Sequence, residues 1–225
     1  IMSSDWSSDV CSSDLLIRTP LSTTDLTHNL IDYLDDFFAP QAMVHGSLVD
    51  VYGTGMLFTG RSGIGKSEIS LDLVERGHRL VSDDVVILTR KSEGVLMGTG
   101  TEMLKHLMEI RGVGIIDIRR MFGIRAIRLQ KRVEMEIELV EWDKKESYER
   151  LGLDESKKEY LGIEIDYVKL PIYPGKNITV IAESLALNLH LKVYGFHPAK
   201  EFNEMLLKTI EDRQKIKNYL ERDLE

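Results

Sequence analysis

The stretch GRSGIGKSE, from Gly60 to Glu68, matches the pattern G-x-x-x-x-G-K-[ST] residue for residue. Gly60, Gly63 and Gly65 leave room for backbone N–H groups to turn inward around a polyphosphate. Lys66 can reach the outer phosphates, and the Ser67 hydroxyl can ligate Mg²⁺. A helix starting here aims its positive dipole end at the same anions. Gly60, Arg61, Ser62, Gly63, Ile64, Gly65, Lys66 and Ser67 are therefore the expected nucleotide-binding loop. The pattern says that a nucleotide is held and leaves open what is done with it.

Further chemistry-bearing residues lie downstream. Asp83 and Asp84 form the polar centre of RLVSDDVVIL. On a continuous strand, adjacent carboxylates point to opposite faces, one toward phosphate and metal, the other toward a second substrate or a partner side chain. The plain alternative is a turn pair at a strand end. Only 16 residues separate Lys66 from Asp83, enough for one helix and a tight return. In most nucleotide switches and motors the metal-supporting Asp comes later in the chain. In MEIRGVGIID, Glu109 is a candidate metal ligand and Arg111 a candidate phosphate ligand,. Gly112 and Gly114 keep the backbone bare where a ligand could approach, and Asp117 closes the segment,. Read blandly, the same string is a surface helix end followed by a buried strand. His45 suits a proton carrier or a structural histidine. Arg150 and Lys176, on irregular segments, are cations that could stabilise a phosphoryl group in transit or be merely solvated,.

Several elements must position these groups. Leu26, Leu30, Ile31, Leu34 and Phe38 recur at helical spacing, and Pro40 ends that helix,. Residues 44–59 read as two strands with a turn near Gly53 and Gly55. The phosphate loop follows directly, then a helix from Lys66 to Arg76 stopped at Gly77, then RLVSDDVVIL as one strand,. This order makes an α/β nucleotide-binding core. In RVEMEIELVEW, Val133, Met135, Ile137 and Leu139 alternate with Glu134, Glu136 and Glu138, which predicts a strand with one buried and one solvated face,. Residues 143–164 read as an irregular excursion and PIYPGKN as a shaped loop. Two helices, about 179–194 and 199–223, close the chain, divided at Gly195 and Pro198.

Taken together these pieces resemble the HPr kinase/phosphorylase family, bacterial enzymes that phosphorylate a serine of the phosphocarrier protein HPr. The resemblance runs from Leu15 to Glu225 and rests on VHGSLVDVYGTGMLFTGRSGIGKSE, RGHRLVSDD, EIRGVGIID, ERLG and PIYPGKN, in that order. It implies a P-loop-containing catalytic domain similar in fold to that of phosphoenolpyruvate carboxykinase, with C-terminal helices and with the family's N-terminal domain absent. It also implies ATP and Mg²⁺ as substrate and cofactor, HPr as partner, assembly into a homo-hexamer and a role in carbon catabolite repression. In the reverse reaction, inorganic phosphate attacks phosphoseryl-HPr and pyrophosphate leaves. By position, Lys66 is catalytic, Ser67 and Glu109 attend the metal, and Asp84, beside Asp83, exchanges the serine proton. His45 and Arg150 fall on the active-site histidine and arginine. Met108 to Asp117 falls on the segment needed for both activities. Pro171, Ile172, Tyr173, Pro174, Gly175 and Lys176 fall on the segment tied mainly to dephosphorylation. There the family usually ends in Gly-Arg and has a basic third residue, whereas this chain has Lys176 and Tyr173. Lys loses the bidentate fork of Arg, and Tyr173 removes a charge.

Composition fits this reading. With 29 basic and 37 acidic residues the net charge is −8, which disfavours nucleic acid as a partner,. No apolar run approaches the roughly 20 residues that span a bilayer. The single cysteine forms no internal disulfide, in keeping with a cytoplasmic setting,. Residues 1–14 repeat Ser-Ser-Asp without helix or strand period and are expected to be a non-native or disordered leader,. A small-molecule kinase of the same fold, and a nucleotide-binding regulatory module without transfer activity, are the alternatives.

Overall fold

The structure is a computed structural model and describes residues 18–91, 94–143 and 156–222. The first apolar-periodic segment folds as α1 (Thr23–Phe37), opened by the Ser22 hydroxyl, which accepts the Asp25 N–H at 3.1 Å,. It belongs to a separate unit that ends at Phe38.

From Ala39 the chain forms a second unit. Its elements are β1 (Gln41–His45), β2 (Ser47–Val51), β3 (Thr54–Gly60), α2 (Lys66–Glu75), β4 (Arg79–Ser82), β5 (Val85–Arg90) and β6 (Leu96–Gly100). There follow β7 (Leu107–Ile110), β8 (Gly114–Asp117), α3 (Ile118–Phe122), β9 (Gln130–Arg132), β10 (Met135–Glu141), β11 (Lys157–Tyr160) and β12 (Ile163–Ile172). Two helices complete it, α4 (Ile178–Val193) and α5 (Pro198–Arg222).

A six-stranded sheet runs in the order β11-β12-β10-β3-β2-β4, with β3, β10 and β12 parallel. A four-stranded antiparallel sheet runs β1-β5-β6-β9, and β7 and β8 pair as a hairpin. Strand alternation sorts the core into two layers. Val49, Met56, Phe58, Ile137 and Leu139 pack against Leu73 and Val74 of α2 and Ile178, Ala182 and Ala186 of α4. Leu48, Leu57, Val133 and Ile165 pack the opposite way, against Val86, Leu88 and Leu96 of the smaller sheet. Each such fully buried side chain contributes about 1.5–3 kcal/mol.

Five readings need correction. RLVSDDVVIL is two strands, β4 and β5, in different sheets. The backbone breaks at Asp84, whose φ is +69°. Residues 44–59 are likewise shared between the sheets, because His45 ends β1 and only Ser47 onward joins β2. These two links, at Gly46 and at Asp83–Asp84, are tied by the Gly46 N–H donating to the Asp84 carbonyl at 3.0 Å. The glutamates of β10 do not share one solvated face, since Glu136 is 0% exposed. β10 lies between β3 and β12, and its carboxylate is satisfied inside the protein by Thr59, Lys158 and Tyr160. Finally, the end of the supposed excursion is the β11–β12 hairpin, turned at Leu161 and Gly162, both with positive φ. The segment MEIRGVGIID is the β7–β8 hairpin, neither a helix end nor a buried strand, for β8 is largely exposed.

Candidate active site

β3 ends at Gly60 and α2 begins at Lys66, so the phosphate loop spans the edge where the parallel strands finish. Gly60 sits against β10: a Cβ there would lie 2.4 Å from the Leu139 carbonyl, and its φ is +134°. Gly63 (φ +78°) faces Arg111 of the β7–β8 turn, whose Nη1 is 2.3 Å from where a Cβ would stand. The helix opens on Gly65, with no side-chain cap among the described residues, so its first N–H groups remain available to an anion,.

Lys66 folds back over this loop. Its ammonium donates to the carbonyls of Gly60 (3.1 Å) and Arg61 (3.3 Å) and lies 3.3 Å from His45 Nε2. Burial lowers its pKa from the ordinary lysine value, against the pull of Asp83 and Asp84,. Arg111 reaches the loop from the other side, donating through Nη2 to Ser62 Oγ at 3.3 Å. Arg61 pairs with Glu141 at the end of β10.

The two aspartates separate sharply. Asp83 is 3% exposed and accepts from Ser47 Oγ at 2.5 Å and from Ser67 Oγ at 2.8 Å. Burial raises its pKa above the usual carboxylate value, and the two hydroxyls oppose the shift,. Asp84 is exposed and pairs with His45 Nδ1 at 3.2 Å. The Val85 N–H donates to the Asp83 carbonyl at 2.9 Å, closing a three-residue turn centred on Asp84,. Such a conformation at a non-glycine residue stores on the order of 1–3 kcal/mol and is found where a side chain must be aimed. The two faces expected of a strand thus arise from a bend.

Ser67, Asp83, Lys66, His45 and Asp84 are therefore linked by direct contacts, with Arg111 touching the loop. The Ser67 hydroxyl, held by Asp83, is a hard oxygen donor of the kind that Mg²⁺ requires,. Glu109 stands exposed on β7, two residues before Arg111 of the β7–β8 turn. Asp117 caps α3, accepting the Arg120 N–H at 3.0 Å, a structural duty. Gly112 and Gly114 turn the hairpin with positive φ. Pro171 and Ile172 finish β12, while Tyr173, Pro174, Gly175 and Lys176 turn into α4. Arg150 lies outside the described residues. Ser47, which holds the buried carboxylate, was not anticipated; only strand pairing brings it there, and no local pattern marks it. A cleft of about 560 Å³ beside Thr54, Arg132, Glu134 and His190 opens at the start of β3, away from this cluster.

Comparison with known proteins shows the family of this chain. A family model described as HPr Serine kinase C-terminal domain matches residues 36–206. Proteins named HPr kinase/phosphorylase are similar: that of Chloroherpeton thalassium is 55% identical over 210 residues, covering 93% of this chain and 62% of the relative. That of Prosthecochloris aestuarii is 49% identical, covering 91% and 62%. This chain thus spans less than two thirds of the length of those relatives. A solved structure of the Hpr(Ser) kinase/phosphatase from Coxiella burnetii aligns with a TM-score of 0.64 at 34% identity, covering 72% of this chain and 99% of that one. This chain belongs to the HPr Serine kinase C-terminal domain family.

Proposed function

We propose that this chain transfers the γ-phosphoryl group of ATP to a serine of HPr and catalyses the reverse phosphorolysis. The observation that carries the reading is the pairing of an exposed Asp84–His45 couple with a buried Asp83–Ser67 couple around one lysine. The phosphate loop holds the polyphosphate, and Lys66 and Arg111 face its charge. Ser67 and Glu109 would hold Mg²⁺, with Asp83 orienting the Ser67 hydroxyl; bound there, the ion neutralises phosphate charge. Asp84 accepts the serine proton as the serine oxygen attacks phosphorus and the bond to the ADP oxygen breaks. His45 fixes the orientation of Asp84 and Arg150 offsets charge on the moving phosphoryl group. In reverse, an oxygen of inorganic phosphate attacks the phosphoserine phosphorus. The serine oxygen leaves with the proton returned by Asp84, and pyrophosphate forms.

Residues 15–225 form the catalytic domain in this reading, with the P-loop architecture shared with phosphoenolpyruvate carboxykinase. Exposed Val113 and Ile115 on the β7–β8 hairpin support self-association, here as a hexamer,. Among the described residues no helix is long and apolar enough to cross a membrane, and the cytoplasm is the proposed location. Incubation with HPr, Mg²⁺ and ATP, followed by intact mass, tests the assignment. HPr gains one phosphoryl group with the parent chain and, with Asp84→Asn, does so at least about a hundredfold more slowly. Absence of transfer, or equal transfer by the variant, overturns it. Pyrophosphate released from phospho-HPr and inorganic phosphate tests the reverse half, where Tyr173 stands in place of a basic residue and Lys176 in place of an arginine that can fork.

A further inference from the structure

The strands that lead to the phosphate loop also carry two large aromatic side chains to the same edge. Leu139 pairs with Gly60 and Glu141 with Ile172, so β3, β10 and β12 end together. Trp142 and Tyr173 are the residues just past β10 and β12, joined by the Trp142 N–H donating to the Ile172 carbonyl at 3.3 Å. Their rings meet edge to face, with centroids 5.4 Å apart and planes at 70°. Each nonetheless keeps nearly half its surface open, at 46% for Trp142 and 45% for Tyr173. Behind them the Lys176 ammonium stands 5.3 Å from the centre of the Tyr173 ring and donates to the Pro171 carbonyl at 2.9 Å.

This corner is tied to the phosphate loop. Arg61 of the loop pairs with Glu141, the residue before Trp142. Trp142 lies three residues beyond the Leu139–Gly60 rung, roughly 10 Å along the strand,. Two open aromatic rings set at an angle, backed by a cation, suit a flat π-system carrying polar edge groups. A nucleotide whose phosphates fill the loop has one such part, its base.

We propose that Trp142 and Tyr173 form the subsite for the nucleoside base, which stacks in the corner between their rings. The inference rests on the phosphate-loop reading above and adds where the other end of the nucleotide goes. It also gives Tyr173 an occupation that a basic residue at that position could not fill by ring stacking.

Binding of ATP and of inorganic tripolyphosphate, each with Mg²⁺, measured by calorimetry on the full chain, separates the two readings. Tripolyphosphate fits the loop and carries no base. Tyr173→Ala and Trp142→Ala weaken ATP roughly five- to a hundredfold, the range expected for loss of one stacked aromatic, and leave tripolyphosphate unchanged. Trp142→Phe, which keeps a ring, stays close to the parent for both. In a Trp6→Phe background, ATP changes the Trp142 emission and tripolyphosphate does not. Equal weakening of both ligands by the alanine variants, or an ATP affinity they do not alter, overturns the subsite. A parent chain that binds tripolyphosphate as tightly as ATP also overturns it while leaving the phosphate loop standing. A parent that binds neither removes the loop reading and the subsite with it.

Discussion

Replacement of Glu136 tests how the strand before the phosphate loop is anchored. The carboxylate is 0% exposed and accepts from Thr59 Oγ1 at 2.6 Å, Lys158 Nζ at 2.7 Å and Tyr160 OH at 2.8 Å. Glu136→Leu fills the volume and strands all three donors. Thr59 is 7% exposed, so its hydroxyl loses its acceptor in a dry setting, at about 2 kcal/mol,. Tyr160 is partly accessible and recovers some hydration, leaving about 1 kcal/mol,. The Lys158 side chain is 40% exposed and its share is discounted to well under 1 kcal/mol,. The sum, about 3–4 kcal/mol, sits at the low end of what removing one partner from a buried ion pair costs. For a chain of this length it lowers the melting midpoint by roughly 10 °C. Glu136→Gln keeps an acceptor for Thr59 and loses about half as much. Lys158 supplies a second readout. Burial alone would lower its pKa, but its bond to Glu136 more than offsets this and holds it above the ordinary lysine value. Stability from the pair is therefore present below the unfolded lysine pKa and lost as pH rises through the folded one. Thermal melts by circular dichroism, from neutral to alkaline pH, check both. A Glu136→Leu midpoint within about 2 °C of the parent refutes the anchoring argument.

Burial beside Glu136 pushes Tyr160 to about 12, so a spectrophotometric titration near the phenolate band contains a late step that Tyr160→Phe removes. Being raised, this group contributes stability that persists below the ordinary tyrosine pKa and is lost as pH rises through about 12,. Asp83→Asn melts higher than the parent at pH values above the folded pKa of Asp83, because burial disfavours the charged carboxylate there. The gap closes as pH falls through the folded pKa of Asp83 toward acid, while phosphoryl transfer by the variant is depressed at every pH. A lower melting point for Asp83→Asn contradicts the burial argument. Gly63→Ala forces a Cβ against the Arg111 guanidinium at a φ of +78°, which costs about 1 kcal/mol or more. Calorimetry should find tripolyphosphate bound at least about fivefold more weakly, and unchanged affinity argues that the loop readjusts freely.

Local signals carried the phosphate loop, α2 and its stop at Gly77, α1 and the two C-terminal helices, because caps, glycines and helical periodicity act within a few residues,. Pairing between distant strands was not legible. Glu136 looked solvent-facing because alternation reports one face of one strand and says nothing of Thr59, Lys158 and Tyr160 converging from β3 and β11. The break at Asp84 was hidden for the same reason: β4 and β5 are both apolar, and only their membership of different sheets separates them. The candidate site residues stood out by type and spacing. Their division into a buried Asp83 and an exposed Asp84 needed the turn, and Ser47 needed the register that sets β2 beside β4.

The two neighbouring links between the sheets have a mechanical consequence. The loop and Lys66 ride on the six-stranded sheet and α2, whereas His45 ends a strand of the four-stranded sheet and Asp84 sits on the link into it. In the proposed reaction, a small slide of one sheet over the apolar layer between them would change the gap from the phosphate loop to Asp84 and leave the loop itself unaltered. Nucleotide affinity and transfer rate would then depend on different sheets of the same domain, and a packing change at Val86, on the smaller sheet, is expected to alter the second more than the first.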